Sequence, residues 1–241
     1  MKMLYAKPAL AAVLLMSAAP LAAQEYCTAP GELVTEDAAG DAAIVAAPDP
    51  VPGHDIGTVH FAEPAAIGSG EPLVITLKVD TLSPAPPPNT VYYVYFTLDD
   101  GVERYVTYDA DPVVGATGNP FAYGHVEPDP TTGVGNLTED GELDPSSNAA
   151  ADGTITFVLP KDRISTLSDV GTFISNIYGD ARLLVGAAGT GLVSPVDSSP
   201  AGVYDIRGRG ACSGKSGLLG AGSPAPVLVL LLALAGLARR R

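Results

Sequence analysis

The sequence predicts an all-β fold. Runs of five to nine residues rich in Val, Ile, Thr, Tyr and Phe recur through the middle of the chain, several of them alternating apolar and polar positions. Between them stand clusters of Gly, Pro, Asp and Asn; with 27 Gly and 22 Pro in 241 residues, punctuation is too dense for long helices. No heptad pattern, long amphipathic helix or internal repeat competes with that reading. The expected architecture is a single β-sandwich, immunoglobulin-like or jelly-roll-like, flanked by an N-terminal signal helix and a C-terminal apolar helix.

The elements follow in order. Residues 28–52, rich in Ala, Pro, Gly and acids, read as loop or linker. Residues 57–62 are a short alternating strand. In 73–80, Leu73, Ile75, Leu77 and Val79 alternate with Val74, Thr76, Lys78 and Asp80, the period-2 pattern of a half-buried strand. Pro84, Pro86, Pro87 and Pro88 make an extended loop. Residues 90–98 carry β-branched and aromatic side chains on both faces and predict a central strand. Asp99-Asp100-Gly101 turns the chain, so 90–108 predicts a hairpin. Further strands are expected at 121–126, at 153–159 before Pro160, at 182–187 and at 203–206, with a helical turn within 164–177.

The two ends are of another kind. Lys2 and Lys7 precede a short apolar core at 9–19, and Pro20-Leu21-Ala22-Ala23 offers a small-residue cleavage site after Ala23. This is the layout of an export signal. At the other end, 211–226 is a Gly/Ser/Pro linker, and Val227 to Ala238 is an apolar run closed by Arg239, Arg240 and Arg241. Twelve helical residues rise about 18 Å, short of a hydrocarbon core of about 30 Å. Terminal arginines stay on the cytoplasmic side, so the central part is expected outside the inner membrane. The organisation is therefore a signal peptide (1–23), an acidic segment (24–52), a β-sandwich (53–210), a linker with a sorting motif (211–226), and an apolar helix with its Arg cluster (227–241).

The tail resembles the C-terminal sorting signals of bacterial exported proteins. Gly220-Ala221-Gly222-Ser223 is similar to the GlyGly-type motif, which implies a rhomboid-like intramembrane protease. Cys212, in the phrase ACSGKSG, is closer to the myxobacterial-type signal, in which a Cys precedes the helix. The sequence departs from both: Gly220 and Gly222 are not adjacent, and one Cys stands there. Ala23, Cys212, Gly220 and Gly222 are the expected processing positions. The phrases DAAGD (37–41), HDIGTVHFAEP (54–64), LVITLKVDTLSP (73–84), AYGHVEP (122–128) and DGTITFVLPK (152–161) resemble an acidic β-sandwich module of secreted bacterial proteins. That module is sometimes appended to subtilisin-like proteases, but no protease domain accompanies it here.

Charge narrows the partners. Five of the 13 basic residues lie in the end segments, whereas all 27 acidic residues lie between them; the body therefore carries 8 basic groups and a formal charge of −19. Such a surface excludes nucleic acid and anionic lipid as partners. The only cysteines, Cys27 and Cys212, bracket the body, and export permits a bridge between them. The rival role for Cys212 is processing or modification of the tail.

No GxSxG, HExxH or P-loop occurs, and His54, His60 and His125 are the only histidines. No catalytic residue is expected. The hard-cation candidates are two acidic groups: Asp37, Asp41 and Asp55, and, at the ends of the hairpin, Asp99, Asp100, Asp109 and Asp111. The run from Glu139 to Asp144 fails the EF-hand spacing. Tyr92, Tyr93, Tyr95, Tyr105, Tyr108 and Tyr123 offer a saccharide-binding face, with half of them directed to the core. The expected function is a non-catalytic, structural or adhesive envelope protein. It would meet the inner membrane through its tail, a processing protease, and another surface molecule. A calcium- or carbohydrate-binding module is the alternative, and a hydrolase with an unrecognised site the third reading.

Overall fold

The computed structural model describes residues 25–42, 51–64, 71–110, 119–133, 135–185 and 192–208. The signal peptide, the linker and the apolar tail lie outside these residues, as do Asp111, Cys212, Gly220 and Gly222. Among the described residues no helix is long and apolar enough to cross a membrane.

The described chain is all-β. Strands β1 (Glu32–Glu36), β2 (Ile56–Ala62), β3 (Pro72–Val79), β8 (Asn148–Ala149) and β9 (Thr154–Pro160) form one antiparallel sheet, ordered β1-β2-β3-β9-β8. The second sheet is built from β4 (Thr90–Thr97), β5 (Glu103–Asp109), β6 (Phe121–Pro128), β7 (Gly135–Glu142), β10 (Phe173–Val185), β11 (Leu192–Ser198) and β12 (Gly202–Asp205). Its order is β11-β10-β4-β5-β6-β7, with β12 also on β10.

The sheets bury one shared core. Ile56, Val59, Phe61, Leu73, Ile75, Leu77, Ile155 and Phe157 from the first face Tyr92, Val94, Phe96, Val106 and Ile177 from the second. Each fully buried large side chain stabilises by about 1.5–3 kcal/mol. The sheets approach closely where β10 crosses β2 and β3. A Cβ on Gly179 would lie 2.8 Å from Leu77 Cδ1, so a larger residue there has to push the Leu77 side chain aside.

The predicted hairpin is β4–β5, in register from Val91↔Asp109 to Thr97↔Glu103, and β4 is central between β5 and β10. Two expectations are corrected, and one strand was not expected. The segment read as loop contains β1, which pairs with β2 across a bulge between Leu33 and Thr35. The acidic run at Glu139–Glu142 belongs to β7, an edge strand whose charges block further pairing. The helical turn expected within 164–177 is present at Ser165–Ser168, whereas the strand expected at 182–187 starts already at Phe173, as β10.

One corner ties the two ends of the described body together. Glu63, just past β2, is 2 % exposed and accepts four hydrogen bonds. Tyr204 Oη (3.0 Å) and the Arg207 amide (2.7 Å) donate to Oε1; the Gly208 amide (2.8 Å) and Lys161 Nζ donate to Oε2. Burial pushes this carboxyl up, but the Arg207 amide, the Lys161 ammonium and the Gly208 amide outweigh it and hold it below the usual range. The Arg207 guanidinium lies over the rings of Tyr26 (4.5 Å) and Tyr204 (5.7 Å) and pairs with Glu32.

Candidate functional site

The first predicted cation cluster is assembled in altered form. Asp37 and Asp41 come together with Asp197 of β11, each offering a carboxylate oxygen, all within 4.8 Å of one another. Asp55 stands beside them but faces inward to the turn: both its oxygens accept the Gly40 amide, at 2.9 and 2.8 Å. It thus shapes the loop that carries Asp37 and Asp41, with Gly40 at φ +83°.

The chain converges there because the β1–β2 ladder continues past its end, with the Asp37 amide on Gly57 O at 2.8 Å. Asp197 is fixed from the other sheet: the Ile56 amide donates to its Oδ2 (2.7 Å) and the Ser198 amide to its Oδ1 (3.0 Å). Burial, then the charges of Asp37 and Asp41, push the Asp197 carboxyl up to about 6. Burial also raises Asp37, with Asp41 and Asp55 adding to it. Asp37 Oδ2 is buried and has no hydrogen-bond partner. Asp197 escapes sequence reading because it sits 141 residues after the Ile56 amide that holds it.

The second predicted cluster is not assembled. Asp99 and Asp100 lie at one end of the β4–β5 hairpin and Asp109 at the other, a strand length of roughly 20 Å apart. Asp100 instead forms a two-pronged ion pair with Arg104, at 2.8 and 2.5 Å, which lowers its pKa.

The histidines have separate surroundings. His54 is buried, with Nε2 2.8 Å from Thr90 Oγ1, and burial lowers its pKa; its Nδ1 has no partner. His125 lies between Asp140 (2.8 Å to Nδ1) and Glu127 (3.2 Å to Nε2); hydrogen bonding to Asp140 is the first cause that raises its pKa.

The tyrosines divide as the alternation requires. Tyr92, Tyr108 and Tyr123 pack with the inter-sheet core. Tyr93, Tyr95 and Tyr105 stand on the other face with Tyr178; Tyr95 stacks on Tyr93 and Tyr178, Tyr105 meets Tyr93 edge-on, and Arg182 covers Tyr93 and Tyr95 at 5.2 and 5.1 Å. Tyr93, Tyr95 and Tyr105 are 7 %, 2 % and 4 % exposed, so they offer almost no ring surface to a sugar.

The outer face of the five-stranded sheet carries a trough of about 360 Å³. Its floor is a grid of two rows across three strands. Thr58, Lys78 and Thr154 are in register in one row, and His60, Thr76 and Thr156 in the next. Ala29 and Pro30 form a wall. His60 Nδ1 donates to Gly31 O at 3.3 Å, and Nε2 shares a hydrogen bond with Thr58 Oγ1 at 3.1 Å. Lys78 Nζ donates to the Asp152 carbonyl, with the Asp152 carboxylate 3.9 Å away. Thr76 is 3 % exposed, and its Oγ1 has no hydrogen-bond partner. A sequence signal for this grid exists: Thr58-x-His60, Thr76-x-Lys78 and Thr154-x-Thr156 place polar pairs on one face of three strands.

Comparison of the chain with family profiles, with curated proteins and with solved structures returns no match.

Proposed function

We propose that this chain is an exported, non-catalytic β-sandwich protein of the cell envelope, displayed or released through its C-terminal tail. Its role is structural or adhesive. The observation that carries this reading is the corner around Glu63. Tyr26 near the start of the body and Arg207 near its end are in contact there, next to Glu32. A head whose ends emerge together suits display on a single tail. The body is locked up to Gly208 by the Glu63 hydrogen bonds, so sorting or cleavage beyond that point leaves the sandwich whole.

The same corner supports a Cys27–Cys212 disulfide. Cys27 has no free thiol, and it follows Tyr26 directly. Arg207, on the Tyr26 ring, stands five positions before Cys212. Intact-mass measurement tests the pairing. A gain of two hydrogens on reduction is expected, with a stability loss of roughly 2–4 kcal/mol. A lipid adduct or a terminus at Cys212 overturns it. Protease shaving of intact cells tests display: peptides of the body should be released without lysis. Release only after lysis contradicts it.

A second reading, calcium binding, is favoured by Asp37, Asp41 and Asp197. Three converging carboxylates, one with a buried oxygen that no donor meets, fit a hard cation that takes oxygen ligands. Backbone carbonyls or water would have to complete the six to eight ligands that calcium needs.

A further inference from the structure

We propose that the trough on the outer face of the five-stranded sheet binds a neutral saccharide, as a sugar unit presented edge-on by its hydroxyls. Such binding is independent of where the chain resides and of the acidic cluster.

The lining decides the class of ligand. Thr58, Thr154 and Thr156 are part-exposed around the trough, and each hydroxyl can donate one hydrogen bond and accept two. A sugar hydroxyl has the same double capacity. Strands lie about 4.8 Å apart, so hydroxyls on neighbouring strands can be bridged by non-adjacent hydroxyls of one pyranose ring. Thr76 supplies the sharpest indication. Its side chain is buried at the floor, and its hydroxyl has no partner in the protein. A buried hydroxyl left unpaired is costly, and a ligand hydroxyl reaching the floor removes that cost.

Charge decides against an anion. Lys78 is the one cation of the lining, and Asp152 already engages it through its carbonyl and its nearby carboxylate. Both His60 ring nitrogens are already engaged, by the Gly31 carbonyl and the Thr58 hydroxyl. Glu36 is in register with Thr58 at the edge of the grid. The site therefore offers no net positive charge, but Lys78 keeps donors for an uncharged oxygen. A volume of about 360 Å³ lies within the range of small-molecule sites, roughly 300–1,000 Å³. The trough offers no tyrosine or phenylalanine ring to stack on, so affinity rests on hydrogen bonds and is weak.

The test is saturation-transfer NMR and calorimetry on the full chain in a non-glycosidic detergent. Maltose, lactose, mannobiose and chitobiose are the neutral probes, and galacturonate is the anionic one. At least one neutral disaccharide should bind with a Kd of roughly 1 mM. Thr156→Val and Lys78→Met should each weaken it by about tenfold. Thr76→Val, which removes only the floor hydroxyl, should weaken it with no fall in Tm. Tyr178→Phe, on the opposite sheet, should leave it unchanged. Thermal melts check each fold; if Lys78→Met unfolds, the two threonine variants decide. No neutral binding at about 50 mM overturns the assignment, fifty times the expected Kd. So does binding indifferent to the trough variants, or preference for galacturonate.

Discussion

Two places where acids leave the solvent behave in opposite ways. At Glu63 one carboxylate receives two backbone amides, a tyrosine hydroxyl and a lysine, and its pKa falls despite deep burial. At Asp37, Asp41 and Asp197 three carboxylates share few donors; Asp37 Oδ2 has none, and Asp197 rises to about 6. Burial acts in the same direction at both. The difference is donors: a saturated carboxylate is a fastening, while a group of unsaturated ones carries a repulsion that a proton or a cation relieves.

The largest effect should come from cutting the fastening. Glu63→Gln leaves Lys161, 4 % exposed, as a buried cation without its counter-charge, and should destabilise by about 3–5 kcal/mol. Pairing it with Lys161→Met should recover much of the loss. Denaturant melts of the two variants check this; a double variant no better than the single one would mean that the hydrogen bonds, not the charge, carry the corner.

At the acidic cluster the effect should be smaller and of opposite character. Calcium at about ten times its Kd should stabilise by about 1.4 kcal/mol relative to chelator. Asp37→Asn should abolish the difference. Identical melting midpoints in calcium and chelator dispose of the site.

The smallest effect is one of pH. Without calcium, Asp197 keeps its proton up to about pH 6 when folded, against 3.8 when the chain is unfolded. The folded state thus binds the extra proton between those values. Acidification from pH 7 toward 4 stabilises through this group, and the gain is lost again as pH rises through 6. His54 opposes it: burial lowers its pKa, so below 6.5 the unfolded chain takes up a proton that the folded chain refuses. Asp197→Asn removes this titration together with one of the two amide hydrogen bonds that the carboxylate accepts, so the two effects oppose each other at pH 7 and the net change should stay within about 1 kcal/mol. Subtracting its pH–stability profile from that of the parent isolates the group; a flat difference contradicts the assignment.

The same contrast explains what was legible in the sequence. Strands β3, β4 and β9 announce themselves because buried faces demand Val, Ile, Leu and aromatic side chains. Strand β7, GNLTEDGE, has no buried face to mark it, being an edge strand exposed at most positions. In β10, Asn176 at φ +49° and a register shift between Ser175 and Tyr178 break the alternation, so one long strand reads as two pieces. Asp37 and Asp41 were legible as a pair because they are near in sequence. Asp197 was not, because β11 meets β2 only through the fold. The tyrosines did not mark an exposed face: abundance does not show exposure, and the partly polar grid around Thr76 draws less notice than aromatic rings.

The proposal of an exported head on a processed or anchored tail meets its most direct test in the native polypeptide, by fractionation of its source cells and mass spectrometry of both termini. The expected molecule begins at Gln24 and is found in the envelope or the medium. A cytosolic chain running intact from Met1 to Arg241 would contradict it.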